Sequence, residues 1–140
     1  MEMTQYKKPL PLPYVDSKPY WDAARRHELR VQECSQCHER WFPPSPACPN
    51  CLSPDHEWLL CSGTGHVYTF VIFHHVYGAE WAQDVPYNTA IVQLDEGPRL
   101  FTTIVNCRNE DVAIGLPVEA IFDDVTEEIT IPKFQPVSST

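Results

Sequence analysis

At 140 residues, with 43% hydrophobic and 11% aromatic side chains, the chain can bury one ordinary core, which excludes global disorder. Its net charge of −9 is unevenly spread: residues 1–60 are close to neutral, whereas residues 61–140 carry eleven acidic and only three basic side chains. A nucleic-acid surface needs a basic stripe to displace counterions from phosphates, and the second half of this chain has the opposite sign.

Residues 1–17 are proline-rich and lack periodicity, so they read as an extended arm. They lack the continuous apolar core of a signal peptide, and no apolar run is long enough to cross a bilayer, so a cytoplasmic location is expected. Asp16 or Ser17 is placed to cap a helix starting near Pro19. In that helix Tyr20, Trp21 and Ala24 form an apolar stripe opposite Asp22, Arg25 and Arg26. Alternation then begins, with Leu29, Val31 and Glu33 on one face of a short strand and Arg30 and Gln32 on the other.

That strand leads into ECSQCHERWFPPSPACPNC, where Cys34, Cys37, Cys48 and Cys51 have the spacing C-x2-C-x10-C-x2-C. Two knuckles joined by a hairpin present four sulfurs to one tetrahedral ion, the arrangement zinc prefers. In a reducing compartment a metal is expected before a disulfide. Cys34-Ser-Gln-Cys37-His38 also spells a c-type haem attachment site, but that reading leaves Cys48 and Cys51 without a purpose. A redox dithiol is disfavoured by the proline-rich flanks, while a rubredoxin-like iron centre stays chemically compatible with four sulfurs. Four ligands leave no open position, so the metal is expected to be structural, one zinc per chain, with His38 a neighbour and not a ligand.

Ser62-Gly63-Thr64-Gly65 marks a turn and the expected boundary between two parts. Beyond it, strands are expected over His66–Val76, Tyr87–Asp95, Leu100–Asn106, Val118–Asp123 and Glu128–Phe134, with no helical pattern between them. Five strands suggest a small barrel or sandwich. Cys61 and Cys107 stand alone and read as small buried hydrophobes. His74 and His75 point to opposite faces at a strand end and cannot easily share a metal. The loop from Gly78 to Tyr87, with Trp81, is a candidate binding element. No acid, base and nucleophile assemble into a catalytic set.

In chain order, PYWDAARRHELRVQECSQC, FPPSPACPNC, SGTGHVYTF, PYNTAIVQLDEGPRLFTTIV, GLPVEAIF and IPKF resemble one family over roughly residues 18–136. It is the domain-of-unknown-function family thirty-five. The resemblance implies a mainly β fold: an N-terminal helix, a rubredoxin-like zinc ribbon and a five-stranded OB-fold barrel. The arm would occupy 1–17, the helix and ribbon 18–61, and the OB-fold 62–136. It implies a non-catalytic accessory subunit that docks on and stabilises a thiolase-superfamily acyl-CoA enzyme, a thiolase or a lipid-transfer-type retro-aldolase. Its pathway would be CoA-thioester degradation, such as that of steroid side chains or aromatic acyl groups. A hetero-oligomer around a partner dimer is expected, with no nucleic acid and no membrane.

Candidate residues for the partner or a CoA channel at the shared interface are His74, His75, Tyr77, Trp81, Tyr87, Arg25 and Arg26. Because CoA carries phosphates and the second half is acidic, Arg25, Arg26 or Arg30 would meet those phosphates better than the barrel. Partner docking is favoured over independent CoA binding. The alternatives are a zinc-ribbon OB-fold that binds single-stranded nucleic acid, a stand-alone acyl-CoA-binding protein, and a self-sufficient enzyme using His74 or His75 with Cys61 or Cys107.

Overall fold

The computed structural model describes residues 15–75, 79 and 85–137. Most of the expected arm, together with Tyr77 and Trp81, lies outside the described residues. The described chain is mainly β: one helix, a small three-stranded sheet that carries the cysteines, and a curled five-stranded sheet.

Helix α1 spans Lys18–Arg25, with Ser17 at its N-cap and a proline in its first turn. Tyr20, Ala23 and Ala24 are its buried residues. Tyr20 drives into the common core, where its ring lies 5.0 Å from that of Trp21 and 5.1 Å from that of Phe42. The helix ends at Arg25, and two residues on His27, with a positive φ of 61°, turns the chain towards the first strand.

Strand β1 (Arg30–Cys34) is the centre of the small sheet, flanked by β2 (Arg40–Trp41) and β3 (His56–Leu60), both antiparallel to it. β3 pairs along all of β1, from Arg30 opposite Leu60 to Cys34 opposite His56. The sequence pattern does not announce β3, because its burial does not alternate. Gln32, expected with Arg30 on the face of β1 opposite Val31, is only 1% exposed.

The larger sheet has the order β6-β5-β4-β7-β8, from β4 (Thr64–Phe73), β5 (Tyr87–Leu94), β6 (Arg99–Thr102), β7 (Pro117–Asp124) and β8 (Thr130–Pro136). A β-bulge between Val67 and Thr69 sharpens the curl of β4. Gly65 lets β4 and β5 approach closely, since a Cβ there would lie 2.3 Å from the Gln93 carbonyl oxygen. The sheet closes on itself through a single parallel bridge between Ile104 and Phe134. The expected strand Leu100–Asn106 therefore ends early, at Thr102, and its continuation serves as the seam.

Asn88 holds that seam. Its side-chain amide donates to the Ile104 carbonyl (2.9 Å) and accepts from the Ile104 N–H (2.7 Å), so it acts as one more strand partner. It also donates to the Asn109 side-chain oxygen at 3.1 Å. One core runs through both sheets: Tyr20, Leu29 and Val31 belong to the same buried cluster as Val67, Val92 and Phe134.

Candidate metal centre

Each cysteine pair sits in a knuckle, and the two knuckles repeat one another bond for bond. In the first, the N–H groups of Gln36 and Cys37 donate to the Cys34 sulfur at 3.3 and 3.4 Å, and His38 N–H closes the turn on the Cys34 carbonyl at 3.0 Å. In the second, Asn50 and Cys51 donate to the Cys48 sulfur at 3.3 and 3.4 Å, and Leu52 N–H reaches the Cys48 carbonyl at 2.9 Å. His38 and Leu52 hold equivalent left-handed positions, with φ of 66° and 67°. His38 is thus the residue that turns the chain out of the knuckle, which explains the haem-like spelling without a ligand role.

The four Sγ atoms lie within 4.8 Å of one another. Cys34 and Cys51 sulfurs are 3.5 Å apart, and Cys37 and Cys48 sulfurs 3.6 Å, all as free thiols. A tetrahedral zinc with Zn–S bonds of ~2.3 Å has sulfur–sulfur edges of about 3.8 Å, so the donor set has the size and chemistry of a zinc site. The electrostatics agree. The Asn50 amide, then the Glu39 backbone, hold Cys37 down at about 6, and the backbone amides of Cys37 and Gln36 lower Cys34. The Ser53 backbone bond lowers Cys51, but the neighbouring sulfurs and burial outweigh it and push this thiol up to about 12. Four crowded sulfurs resist becoming four thiolates unless a cation joins them.

The surroundings rigidify the cluster. Cys34, Cys48 and Trp41 form a small buried group of their own. Beneath the hairpin, Gln32 donates to the Ser45 carbonyl and accepts from Ser45 N–H, both at 2.8 Å. Its amide also lies 2.9 Å from His56 Nε2, so that nitrogen accepts and the His56 Nδ1–H is left to donate to the Pro54 carbonyl at 3.1 Å. Gln32 escapes a reading by strand alternation, because its partners Ser45 and His56 lie 13 and 24 residues further along the chain.

The ribbon is joined to the barrel by side chains of the LDEG turn. Glu96 accepts from Ser62 N–H at 2.8 Å and its carbonyl accepts from Arg40 of the ribbon at 3.2 Å, while within the barrel Asp95 accepts from the Thr64 hydroxyl and steadies the turn. On the other side, His27 Nε2 meets both Asp124 oxygens at 3.0 and 3.1 Å, with its ring stacked on Phe122. The Thr130 hydroxyl and then His27 hold the Asp124 carboxyl below its ordinary value. Asp124, which stands in the acidic run Asp123-Asp124 to Glu127-Glu128, is a joint between the two parts.

The remaining candidates do not converge. His74 and His75 follow β4 and are exposed. Cys61 lies before the opposite end of this ten-residue strand, which by itself spans about 30 Å at ~3.3 Å per residue, so the strand holds the two apart. Burial, then the Glu96 carboxylate, pushes the Cys61 thiol up to about 12. Burial and Asp111 raise Cys107 as well. Neither is a thiolate at neutral pH. A cavity of about 200 Å³ at the ribbon–barrel junction is bordered by His27, Cys61, Gly63, Glu119 and Phe122. Tyr87 opens β5 and stacks on Phe73, ring centroids 5.2 Å apart. Arg25 ends α1 and Arg26 caps it; both are exposed, and with Lys18 and Asp22 they border a surface cleft. Arg26 and Arg30 share Glu28, at 3.2 and 2.9 Å. Among the described residues, no helix is long and apolar enough to cross a membrane.

Comparison with known proteins matches both parts. Residues 21–57 match the rubredoxin-like zinc ribbon domain of ChsH2, and residues 58–123 its C-terminal OB-fold domain. The ribbon match and the cysteine cluster together fit a structural zinc. A DUF35 domain-containing scaffold protein of Methanocaldococcus jannaschii is 38% identical over 74% of this chain and 73% of its own length. A probable enoyl-CoA hydratase alpha subunit of Thermomonospora curvata is 34% identical over 96% of this chain, which spans only 43% of that longer protein. The solved Ltp2-ChsH2(DUF35) aldolase contains a chain that superposes with a TM-score of 0.82 and 35% identity, covering 91% of this chain and 98% of that one. The chain belongs to the DUF35 family, as a rubredoxin-like zinc ribbon joined to an OB-fold.

Proposed function

We propose that this chain is a non-catalytic accessory subunit that docks on and stabilises a thiolase-superfamily acyl-CoA enzyme, either a thiolase or a lipid-transfer-type retro-aldolase. The observation that carries the reading is the likeness, over 98% of its length, to a chain of the Ltp2-ChsH2(DUF35) aldolase. It is supported by the scaffold-protein relative and by the Cys61 and Cys107 thiols, which hold their protons and make poor nucleophiles. The hydratase name of the Thermomonospora curvata relative belongs to a longer protein, of which this chain covers only 43%.

In this reading Cys34, Cys37, Cys48 and Cys51 are the zinc ligands. Four thiolates fill the coordination shell, so the metal supplies a fold constraint and no open position for substrate. The helix and ribbon occupy 18–61 and the OB-fold 62–136. The complex is cytoplasmic, a hetero-oligomer built around a partner dimer, and it handles CoA thioesters such as steroid or aromatic acyl-CoA. Arg25 and Arg26, both exposed, are the residues that would meet CoA phosphates.

Co-expression tests the proposal. Each thiolase-superfamily subunit encoded in the source genome is produced with and without this chain. At least one should co-purify with it in fixed stoichiometry and lose solubility or activity without it. Subunits that are all fully soluble and active alone, and that never co-purify, would refute the reading.

A further inference from the structure

The accessory-subunit reading leaves open which surface meets the partner. The outer face of β4, β5 and β6 differs from the rest of the barrel in two independent ways. It is apolar where a sheet face is usually polar: Phe101, Val71 and Tyr68 are 76%, 53% and 42% exposed. The register brings these side chains together. Thr69, Ile91 and Phe101 form one row across three strands, and Val71 stands beside Thr89 in the next. These strands of ten, eight and four residues also contain no Asp or Glu, although residues 61–140 hold eleven. By contrast, β7 alone carries Glu119, Asp123 and Asp124.

We propose that this outer face of β4–β5–β6 is the seat of the thiolase-superfamily subunit, an inference that rests on the reading above. Protein interfaces are depleted of charge and enriched in aromatic residues at their centre, as this face is. Its single Arg or Lys, Arg99, is spent within the chain, with its guanidinium 3.8 Å above the Tyr68 ring. One cation is far fewer than the row of basic side chains that displaces counterions from a nucleic acid. A second copy of the chain would set two acidic barrels against each other, whereas a partner whose apolar patch has a basic border would match this one in charge. The ribbon is a weaker candidate, since Leu52 and Leu60 are its large exposed apolar residues among those described.

The test uses the partner identified by co-expression, with binding measured by titration. Phe101→Glu and Val71→Glu place a carboxylate on the face at positions already open to solvent, and Leu52→Glu places one on the ribbon. Zinc content and circular dichroism establish that all three variants fold. Truncating a buried interface anchor commonly costs about 30-fold or more in affinity, so the two face variants should weaken binding at least that much and Leu52→Glu should leave it unchanged. If the wild type binds and the face variants bind equally well, the face assignment falls while the accessory role stands. If the wild type binds no partner, both fall. A wild-type homodimer that Phe101→Glu dissolves, or binding of a single-stranded oligonucleotide that it abolishes, would overturn the assignment in favour of that occupant.

Discussion

Asn88→Ala tests how the barrel is closed. Asn88 is 4% exposed and Ile104 3%, and the amide of the first satisfies both backbone groups of the second. The flanking bridge bonds use Thr103 and Val105 against Phe134, so they cannot replace these. Truncation therefore leaves one donor and one acceptor buried without partners. At about 1–3 kcal/mol each, the loss is about 2–6 kcal/mol, a large share of the 5–15 kcal/mol that holds a typical domain. Asn88→Asp sharpens the test. It keeps the acceptor for Ile104 N–H but sets an oxygen against the Ile104 carbonyl and the Asn109 side-chain oxygen, so it should cost at least as much as alanine. Urea unfolding of the zinc-loaded chain gives the energies, and amide exchange at Ile104 and Val105 locates them. A loss under about 1 kcal/mol for alanine, or a neutral Asn88→Asp, would show that Asn88 does not carry the seam.

Cys34→Ser should lower zinc content and the urea midpoint more than Cys51→Ser, because Cys34 is fully buried and accepts two backbone N–H bonds; equal losses would count against the knuckle geometry. Gly65→Ala should cost about 2–3 kcal/mol or more in urea unfolding, because its Cβ meets backbone that cannot turn aside; a neutral variant would mean that β4 and β5 can separate. Cys61 makes alkaline pH destabilising: its folded value is near 12, so above the unfolded value of ~8.5 the unfolded chain has lost a proton that the folded chain retains. Stability should fall by about 2 kcal/mol from this group between about pH 8 and about pH 10, and Cys61→Ala should flatten that slope in urea titrations at the two pH values.

What could be read in the sequence follows from range. A Cys-x-x-Cys knuckle closes within a few residues, so spacing alone implies its shape, and the helix stripe of Tyr20 and Ala24 is equally local. Gln32 and β3 were not legible for the opposite reason. A glutamine on a strand looks solvated until a hairpin folds over it, and β3 pairs with a strand more than twenty residues earlier. Asn88 left a signal that alternation could have caught. It falls on the inward phase with Ala90, Val92 and Leu94, and a polar side chain there needs a partner. Asp124 stands among other carboxylates, Asp123, Glu127 and Glu128, and only the fold brings His27 to it across 97 residues.

The metal and the proposed docking face are on different parts of the chain, yet they share one core. Val31, on the strand that ends in Cys34, and Leu29 just before it belong to the buried cluster that also contains Val67, Ala90 and Val92. Those last three are the inward side chains of the two strands whose outward side chains form the face. The junction is stiffened at two further points, Glu96 with Ser62 and His27 with Asp124. A ribbon held by zinc therefore braces β4 and β5 from within, and a ribbon without it removes packing from behind the face. Zinc need touch neither substrate nor partner to matter for the complex. Its removal should weaken partner binding even where the barrel strands persist, and it should do so without changing any residue of the contact surface.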